Sequence, residues 1–144
     1  MFVSLFQLPE VVAHRPNPTP DPIDVITTAF ADDLVRWHLH GHGRWAIEAT
    51  GHVIGFGGVL PKSGFTGLNV SYHLLPDSWG RGYASEFLNA ALAMAFGPLA
   101  ASRVIGLVRP ANPASRRVLE KAGFAFEGVV ELAGAPTHQM AKHA

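Results

Sequence analysis

A glycine-rich loop lies between a strand pattern and a strong helix pattern in the middle of the chain, and a second apolar strand follows the helix. The stretches are LNVSYHLL (68–75), SWGRG (78–82), YASEFLNAALAMAF (83–96) and SRVIGLV (102–108). A crossover through one helix places its two strands parallel in the same sheet. The sequence therefore predicts a sheet with a parallel pair of strands.

The segments around this crossover predict antiparallel strands. RWAIEA (44–49) and VIGFGGVL (53–60) flank the turn TGH and are typical of a hairpin. FAFEGVVEL (124–132) and a tail strand from His138 to Ala141 close the sheet, after a short helix capped by Asn112 that ends at Gly123. The predicted fold class is α/β with a mixed, mostly antiparallel sheet.

The N-terminal part of the chain predicts an apolar start, an extended connector and one helix. MFVSLFQLPEVV (1–12) is taken as part of the fold, and RPNPTPDP (15–22) is too rich in proline for regular structure. A helix from Pro22 to Leu39, capped by Asp21, is predicted to bury a stripe formed by Ile26, Phe30, Leu34 and Trp37. Trp37 and Trp45 are expected to fill core under the sheet.

Length and composition limit the classes of function. At 144 residues and 48% hydrophobic content, the chain is expected to be one domain spanning residues 1–144. The 11 basic and 11 acidic side chains give no basic surface for nucleic acid. The absence of cysteine excludes disulfides and a thiol nucleophile and fits a cytoplasmic protein, and the apolar start is too short for a membrane anchor.

The glycine loop has two interpretations, a tight turn or an anion-binding loop. Gly80 and Gly82 leave backbone amides accessible at the start of a helix, where the helix dipole favours a diphosphate. A dinucleotide-binding unit would need a third spaced glycine and an acidic residue after the next strand, where Arg109 stands instead. A loop that binds a nucleoside triphosphate would need Gly-Lys-Ser/Thr, which this chain lacks.

LLPDSWGRGYASEFLNAALAMAF followed by SRVIGLVRPANPASRRVLEKAGFAFEG resembles the Gcn5-related N-acetyltransferase (GNAT) family. More narrowly, it resembles the branch that includes ribosomal-protein N-terminal alanine and serine acetyltransferases, over about residues 44 to 131. The resemblance implies a parallel central strand pair splayed around the cofactor, with helices on both faces. It also implies direct attack of a primary amine on acetyl-CoA in a ternary complex, the acceptor being a peptide N-terminus or a small-molecule amine.

The resemblance implies which residues bind CoA. The diphosphate would lie on a loop made of Gly80, Arg81, Gly82, Tyr83 and Ala84, with Ser85 in the adjoining turn. The pantetheine arm would meet Asn112 and Ser115 and pair with the backbone of Tyr72, His73 and Leu74. Asp77 stands where many members of the family carry Gln or Arg. Arg109 is a further candidate for the CoA phosphates, as are Arg116 and Arg117 unless they form a solvated helix face.

The resemblance specifies the catalytic residues less fully than the CoA-binding residues. Many members use a tyrosine near position 115, but none occurs between Arg103 and Ala144, so Ser115 is assigned as the acid, with helix capping as its alternative. A strand amide near His73 or Leu74 would stabilise the oxyanion. Asn69 replaces the glutamate of many relatives, which favours a terminal α-amine (pKa ~8) over lysine (pKa ~10.4).

Histidines offer two further candidates. His38, His40 and His42 lie on different faces of a helix end and do not predict a metal site, so no metal is expected. His73 is interpreted as a wall residue, with a general base as the alternative.

The resemblance implies a shortened beginning, because relatives carry a longer strand and helix before the region that matches FQLPEVVAHRPNP (6–18). A shortened acceptor wall could open the site, alter its specificity or leave part of it to a partner chain, such as a second copy in a homodimer.

Three hypotheses stay open: an acetyl-CoA-dependent N-acetyltransferase, a non-catalytic acyl-CoA sensor, and a structural domain whose loop and NPAS segment are only caps.

Overall fold

The computed structural model describes all 144 residues and contains one six-stranded sheet. Its strands are β1 (Trp45–Ala49), β2 (His52–Pro61), β3 (Leu68–Leu74), β4 (Arg103–Val108), β5 (Ala125–Leu132) and β6 (Ala135–His143). The helices are α1 (Phe2–Phe6), α2 (Pro9–Val12), α3 (Ile23–His40), α4 (Tyr83–Phe96) and α5 (Pro113–Lys121), with a 3-10 turn at Pro76–Ser78. No helix is both long and apolar enough to cross a bilayer.

The strands lie in the order β1-β2-β3-β4-β6-β5, and only β3 and β4 are parallel. This confirms the predicted parallel pair in a mostly antiparallel sheet. The β3–β4 pairing is short, extending only from Leu68 opposite Val104 to Val70 opposite Gly106. Residues 71–74 of β3 remain paired with β2 but have no partner in β4, so the sheet opens at its centre.

One face of the sheet is covered by α4 and α5. The apolar stripe predicted for α4 is confirmed, since Leu88, Ala91, Leu92 and Ala95 are buried. They belong to the larger core, together with residues from the sheet, α5 and the segment after it: Val59, Val70, Val104, Val108, Leu119, Phe124 and Met140. This face therefore contains most of the apolar side chains that stabilise the fold.

The opposite face is covered by the N-terminal helices. Phe2, Leu5 and Phe6 of α1 are buried with Val11 and Ile26, and Phe56 of β2 packs against them. Phe56 and Val59 are three residues apart on one strand, so their side chains lie on opposite faces of the sheet. The apolar start is thus part of the fold, and helices cover both faces, as predicted.

The burial predicted for α3 is wrong. The helix forms with nearly the predicted bounds, but of its predicted stripe only Ile26 is buried, while Phe30 is 39% and Leu34 55% exposed. Because α1 has only five residues, it covers only part of the 18-residue α3, and its Phe2 ring lies 5.1 Å from the Phe30 ring. Trp37 is not a core residue either; it is 37% exposed, and its indole N–H donates to the Arg44 carbonyl at 2.7 Å.

The predictions for Asp21 and Trp45 have different outcomes. Asp21 does not cap α3, whose N-cap is Pro22, and its carboxylate instead accepts a hydrogen bond from Arg15 at 3.1 Å. Trp45 is half-buried and packs against the larger core, as expected.

Candidate active site

The loop before α4 presents a row of backbone amides. Gly80 and Gly82 have φ values of +70° and +82°, and Gly82 is the N-cap of α4, which has no side-chain cap. The amides of residues 80–85 have no acceptor within the protein, and the first one with a partner is that of Glu86, which donates to the Gly82 carbonyl at 3.1 Å. Free N–H groups at a helix N-terminus are a suitable site for an anion.

The space in front of these amides is open. A Cβ atom built on Gly80 or Gly82 would meet no atom within 4 Å, so it is the left-handed backbone that requires glycine here. The Trp79 indole donates to the Leu74 carbonyl at 2.9 Å and ties the loop to the end of β3. The free amides are therefore held next to the opening of the sheet.

A cavity of about 220 Å³ lies where β3 and β4 separate. Its walls come from both strands, the segment after α2, the end of β2 and α5. Four predicted site residues line it, namely Tyr72, His73, Asn112 and Ser115. The structure thus brings these four to the cavity, and places Leu74 and the loop of residues 80–85 beside it.

Tyr72 and Ser115 meet in this cavity. The Tyr72 Oη and the Ser115 Oγ are 3.2 Å apart, and the Tyr72 ring packs edge-on against Phe87 of α4. Burial raises the pKa of Tyr72 above its usual value, although the hydrogen bond with Ser115 partly opposes the shift. The phenol is therefore protonated at neutral pH and available as a hydrogen-bond donor.

Sequence analysis missed the Tyr72 side chain, because it assigned only the backbone of this residue to the site. The chain has no tyrosine between positions 103 and 144, but β3 places the Tyr72 hydroxyl next to Ser115. A signal did exist: Val70 is a core residue, and a side chain two positions further along a strand lies on the same face.

Asn112 caps α5, because its Oδ1 accepts a hydrogen bond from the Ser115 amide at 3.3 Å. The Ser115 hydroxyl contacts Tyr72 rather than the helix end, so the capping alternative applies to Asn112 and not to Ser115.

Replacing Asn112 by alanine is expected to cost about 1 kcal/mol of stability, the usual contribution of an N-cap. Asn112→Asp keeps an acceptor oxygen at the cap and should retain most of this stability. Chemical denaturation of the three proteins measures the difference, and an Asn112→Ala variant as stable as the parent would contradict the assigned cap.

His73 lies on the other face of β3, where its ring packs edge-on against Phe6 at 4.9 Å between centroids. Burial, with the positive charge of Arg44, lowers the pKa of His73 to about 4. An imidazole with that pKa is uncharged at neutral pH and is a weak base. The contacts favour the interpretation of His73 as a wall residue.

Asn69 also lines the cavity, and its Oδ1 is buried without a hydrogen-bond partner. No aspartate or glutamate lines the cavity. A free carbonyl oxygen can accept a hydrogen bond from an incoming amine, but an amide does not take up a proton.

The remaining candidates lie elsewhere or have other partners. Arg116 donates to Glu120 at 2.8 Å and to the Nδ1 of His138 at 3.0 Å. Its guanidinium lies over the Phe126 ring, so Arg116 packs against the sheet and is not a purely solvated residue. The His40 and His42 rings are 6.3 Å apart, and no three His, Asp or Glu side chains are arranged to hold a metal ion.

A larger, mostly apolar cavity of about 520 Å³ lies between β1 and α4, but of the predicted site residues only Tyr83 lines it.

A mixed six-stranded sheet that opens between its only parallel strands, with helices on both faces, is the fold of the GNAT acetyltransferases. The family model described as "Acetyltransferase (GNAT) domain" matches residues 1–125, and the chain belongs to this family.

Comparisons with individual proteins agree with this assignment. The chain is 34% identical over 96 residues to the uncharacterized N-acetyltransferase YoaA of Bacillus subtilis, a match covering 67% of this chain and 51% of YoaA. It is 30% identical over 107 residues to the uncharacterized protein YkkB of the same organism, a match covering 68% of this chain and 62% of YkkB. The chain thus spans between half and two thirds of these curated relatives.

Solved structures share the fold. An acetyltransferase from Agrobacterium tumefaciens has a TM-score of 0.82 and 25% identity, covering 99% of this chain and 83% of its own. RimJ of Mycobacterium smegmatis, solved in complex with CoA-disulfide, has a TM-score of 0.75 and 23% identity, covering 98% and 76%.

Proposed function

We propose that the protein transfers an acetyl group from acetyl-CoA to a primary amine, either a terminal α-amine or a weakly basic small-molecule amine. The observation that carries the proposal is the row of free amides at residues 80–85, held beside an opening between two parallel strands. Membership of the GNAT family supports acetyl-CoA as the co-substrate.

The chain offers donors and edges that fit CoA. The amides of Gly80, Arg81, Gly82, Tyr83, Ala84 and Ser85 would hold the diphosphate. The edge of β3 at Tyr72, His73 and Leu74, unpaired toward β4, would bind the amide groups of the pantetheine arm as a neighbouring strand does. Asn112 and Ser115 line the same cavity and would complete the channel.

Tyr72 and Ser115 would act together on the leaving group. As the amine attacks, the carbon–sulfur bond breaks and negative charge develops on sulfur. A thiol with a pKa of about 8.5 is a fair leaving group, so a positioned donor suffices. The Ser115 hydroxyl would donate to the sulfur while the protonated Tyr72 donates to Ser115, and a β3 amide near His73 or Leu74 would receive the oxyanion.

The absence of a carboxylate from the cavity bears on the acceptor. An amine that is already partly neutral near pH 7 needs no strong base, which favours an α-amine over a lysine side chain. Asn69 would hold the neutral amine through its free Oδ1, and the proton that the nitrogen loses after attack would pass to solvent. The same absence is what an acyl-CoA sensor would show, so the sensor is the second candidate.

Release of free thiol from acetyl-CoA, followed across a panel of peptides and small amines, tests the proposal. We expect release to depend on the amine and to match the amount of N-acetylated product. CoA-dependent thermal stabilisation without amine-dependent release would favour the sensor. No stabilisation by CoA would favour a structural domain whose loop and α5 terminus are only caps.

A further inference from the structure

The cavity between β3 and β4 has a cationic wall made of Arg15, Lys62 and Arg109. The chain as a whole has 11 basic and 11 acidic side chains, yet none of the acidic ones lines this cavity. The excess of positive charge is therefore a local property of the site and does not follow from composition.

Most of this charge is not neutralised by ion pairs. The Arg109 guanidinium donates to neutral acceptors, the Leu132 carbonyl at 2.9 Å and the Thr137 hydroxyl at 2.7 Å. Lys62 forms no ion pair. Arg15 does pair with Asp21 at 3.1 Å, but Asp21 lies outside the cavity.

The cationic wall lies on the face of the sheet opposite to α4. Val108 belongs to the core beneath α4 and α5, so the next residue, Arg109, is directed to the other face. Lys62 is likewise three residues from the core residue Val59, and Arg15 follows α2 on the face covered by the N-terminal helices. The glycine loop begins α4, so this wall is distinct from the proposed diphosphate site.

The cationic side chains lower the pKa of two histidines, for which burial is the larger cause. Burial and the charges of Arg15 and Arg109 lower the pKa of His14, which lines the same cavity. Arg44 and Arg15 contribute in the same direction at His73. A potential that disfavours an imidazolium also disfavours a polycationic substrate and attracts a carboxylate.

We propose that the acceptor is an amine with a carboxylate close to its reactive nitrogen, and that Arg15, Lys62 and Arg109 select it over neutral and cationic amines. This inference rests on the proposed acetyl transfer. A guanidinium matches a carboxylate through paired N–H donors, and Lys62 adds a point charge. Amino acids and peptides with an acidic residue next to the N-terminus are the two sources of such an amine.

The test compares matched acceptors in the thiol-release assay. C-terminally amidated Ala-Asp, Ala-Asn and Ala-Lys share the reactive α-amine and differ in side-chain charge. We expect kcat/KM for Ala-Asp to exceed that for Ala-Asn by roughly tenfold, with Ala-Lys lowest. The second comparison uses β-alanine and its amide, with rates corrected for the neutral fraction of each amine. A preference for β-alanine over its amide, without a preference for Ala-Asp among the peptides, would identify amino acids as the source.

Two variants connect the preference to the cavity. Lys62→Gln is expected to reduce the ratio of Ala-Asp to Ala-Asn several-fold, whereas Lys121→Gln, an exposed cation outside the cavity, should leave it unchanged. Transfer with equal rates for all acceptors, or a preference for Ala-Lys, would overturn the charge proposal alone. Absence of transfer to every amine would overturn the proposed function as well.

Discussion

Replacing Gly82 by aspartate is expected to weaken CoA binding about 100-fold while leaving a folded protein. Gly82 is the N-cap of α4, and its φ of +82° places its backbone in the left-handed region. An aspartate side chain there would bring a negative charge to the free amides of residues 80–85, where the diphosphate is proposed to bind. Repulsion of about 3 kcal/mol corresponds to a roughly 100-fold loss of affinity.

Thermal unfolding with and without CoA measures this effect. At about 100 times the parent dissociation constant, CoA should stabilise the parent protein by about 2.7 kcal/mol, or roughly 8 °C, and Gly82→Asp by only about 0.4 kcal/mol, or roughly 1 °C. Gly64→Asp is the matched control, because Gly64 has a φ of +86° and open space around it but lies outside the loop. An unchanged CoA affinity in Gly82→Asp would remove the assignment of the diphosphate site.

Removing the Tyr72 hydroxyl is expected to lower kcat about 100-fold without weakening CoA binding, the usual magnitude for a positioned proton donor. Phenylalanine keeps the ring that packs against Phe87 and removes only the oxygen that lies 3.2 Å from Ser115. The expected loss is therefore chemical and not structural.

Steady-state kinetics of Tyr72→Phe, Ser115→Ala and the double variant test this prediction. If the two hydroxyls act as one unit, the double variant should be hardly slower than the worse single variant. The CoA affinity of Tyr72→Phe serves as the control and should match that of the parent protein. A Tyr72→Phe enzyme with the parent kcat would exclude Tyr72 from proton donation.

The parts of the fold specified by local pattern could be predicted from the sequence. The parallel pairing of β3 and β4 follows from a strand, a helix and a strand in succession, and the buried face of α4 follows from its apolar spacing. The glycine loop could be located because glycine at the start of a helix is a local signal.

The burial of α3 could not be predicted from local pattern. Periodicity places Phe30 and Leu34 on one side of the helix, but it does not tell whether another element covers that side. The short α1 buries Ile26 and its Phe2 ring contacts Phe30, but Phe30 stays partly exposed and Leu34 is not covered.

Contacts between distant residues were also beyond the sequence pattern. Tyr72 and Ser115 are 43 positions apart, and their contact depends on how β3 and α5 lie against each other. The cationic wall likewise combines Arg15, Lys62 and Arg109 from three separate segments. Arg15 and Lys62 carry no signal in their own stretches of sequence, and only the fold places all three cations in one cavity.

A crystal structure of the protein with CoA is the most direct test of the central claim. We expect the diphosphate oxygens to lie about 3 Å from amide nitrogens between Gly80 and Ser85. The pantetheine arm should run along residues 71–74 into the opening between β3 and β4. CoA bound in the larger apolar cavity between β1 and α4, or no bound CoA at saturating concentration, would contradict the account.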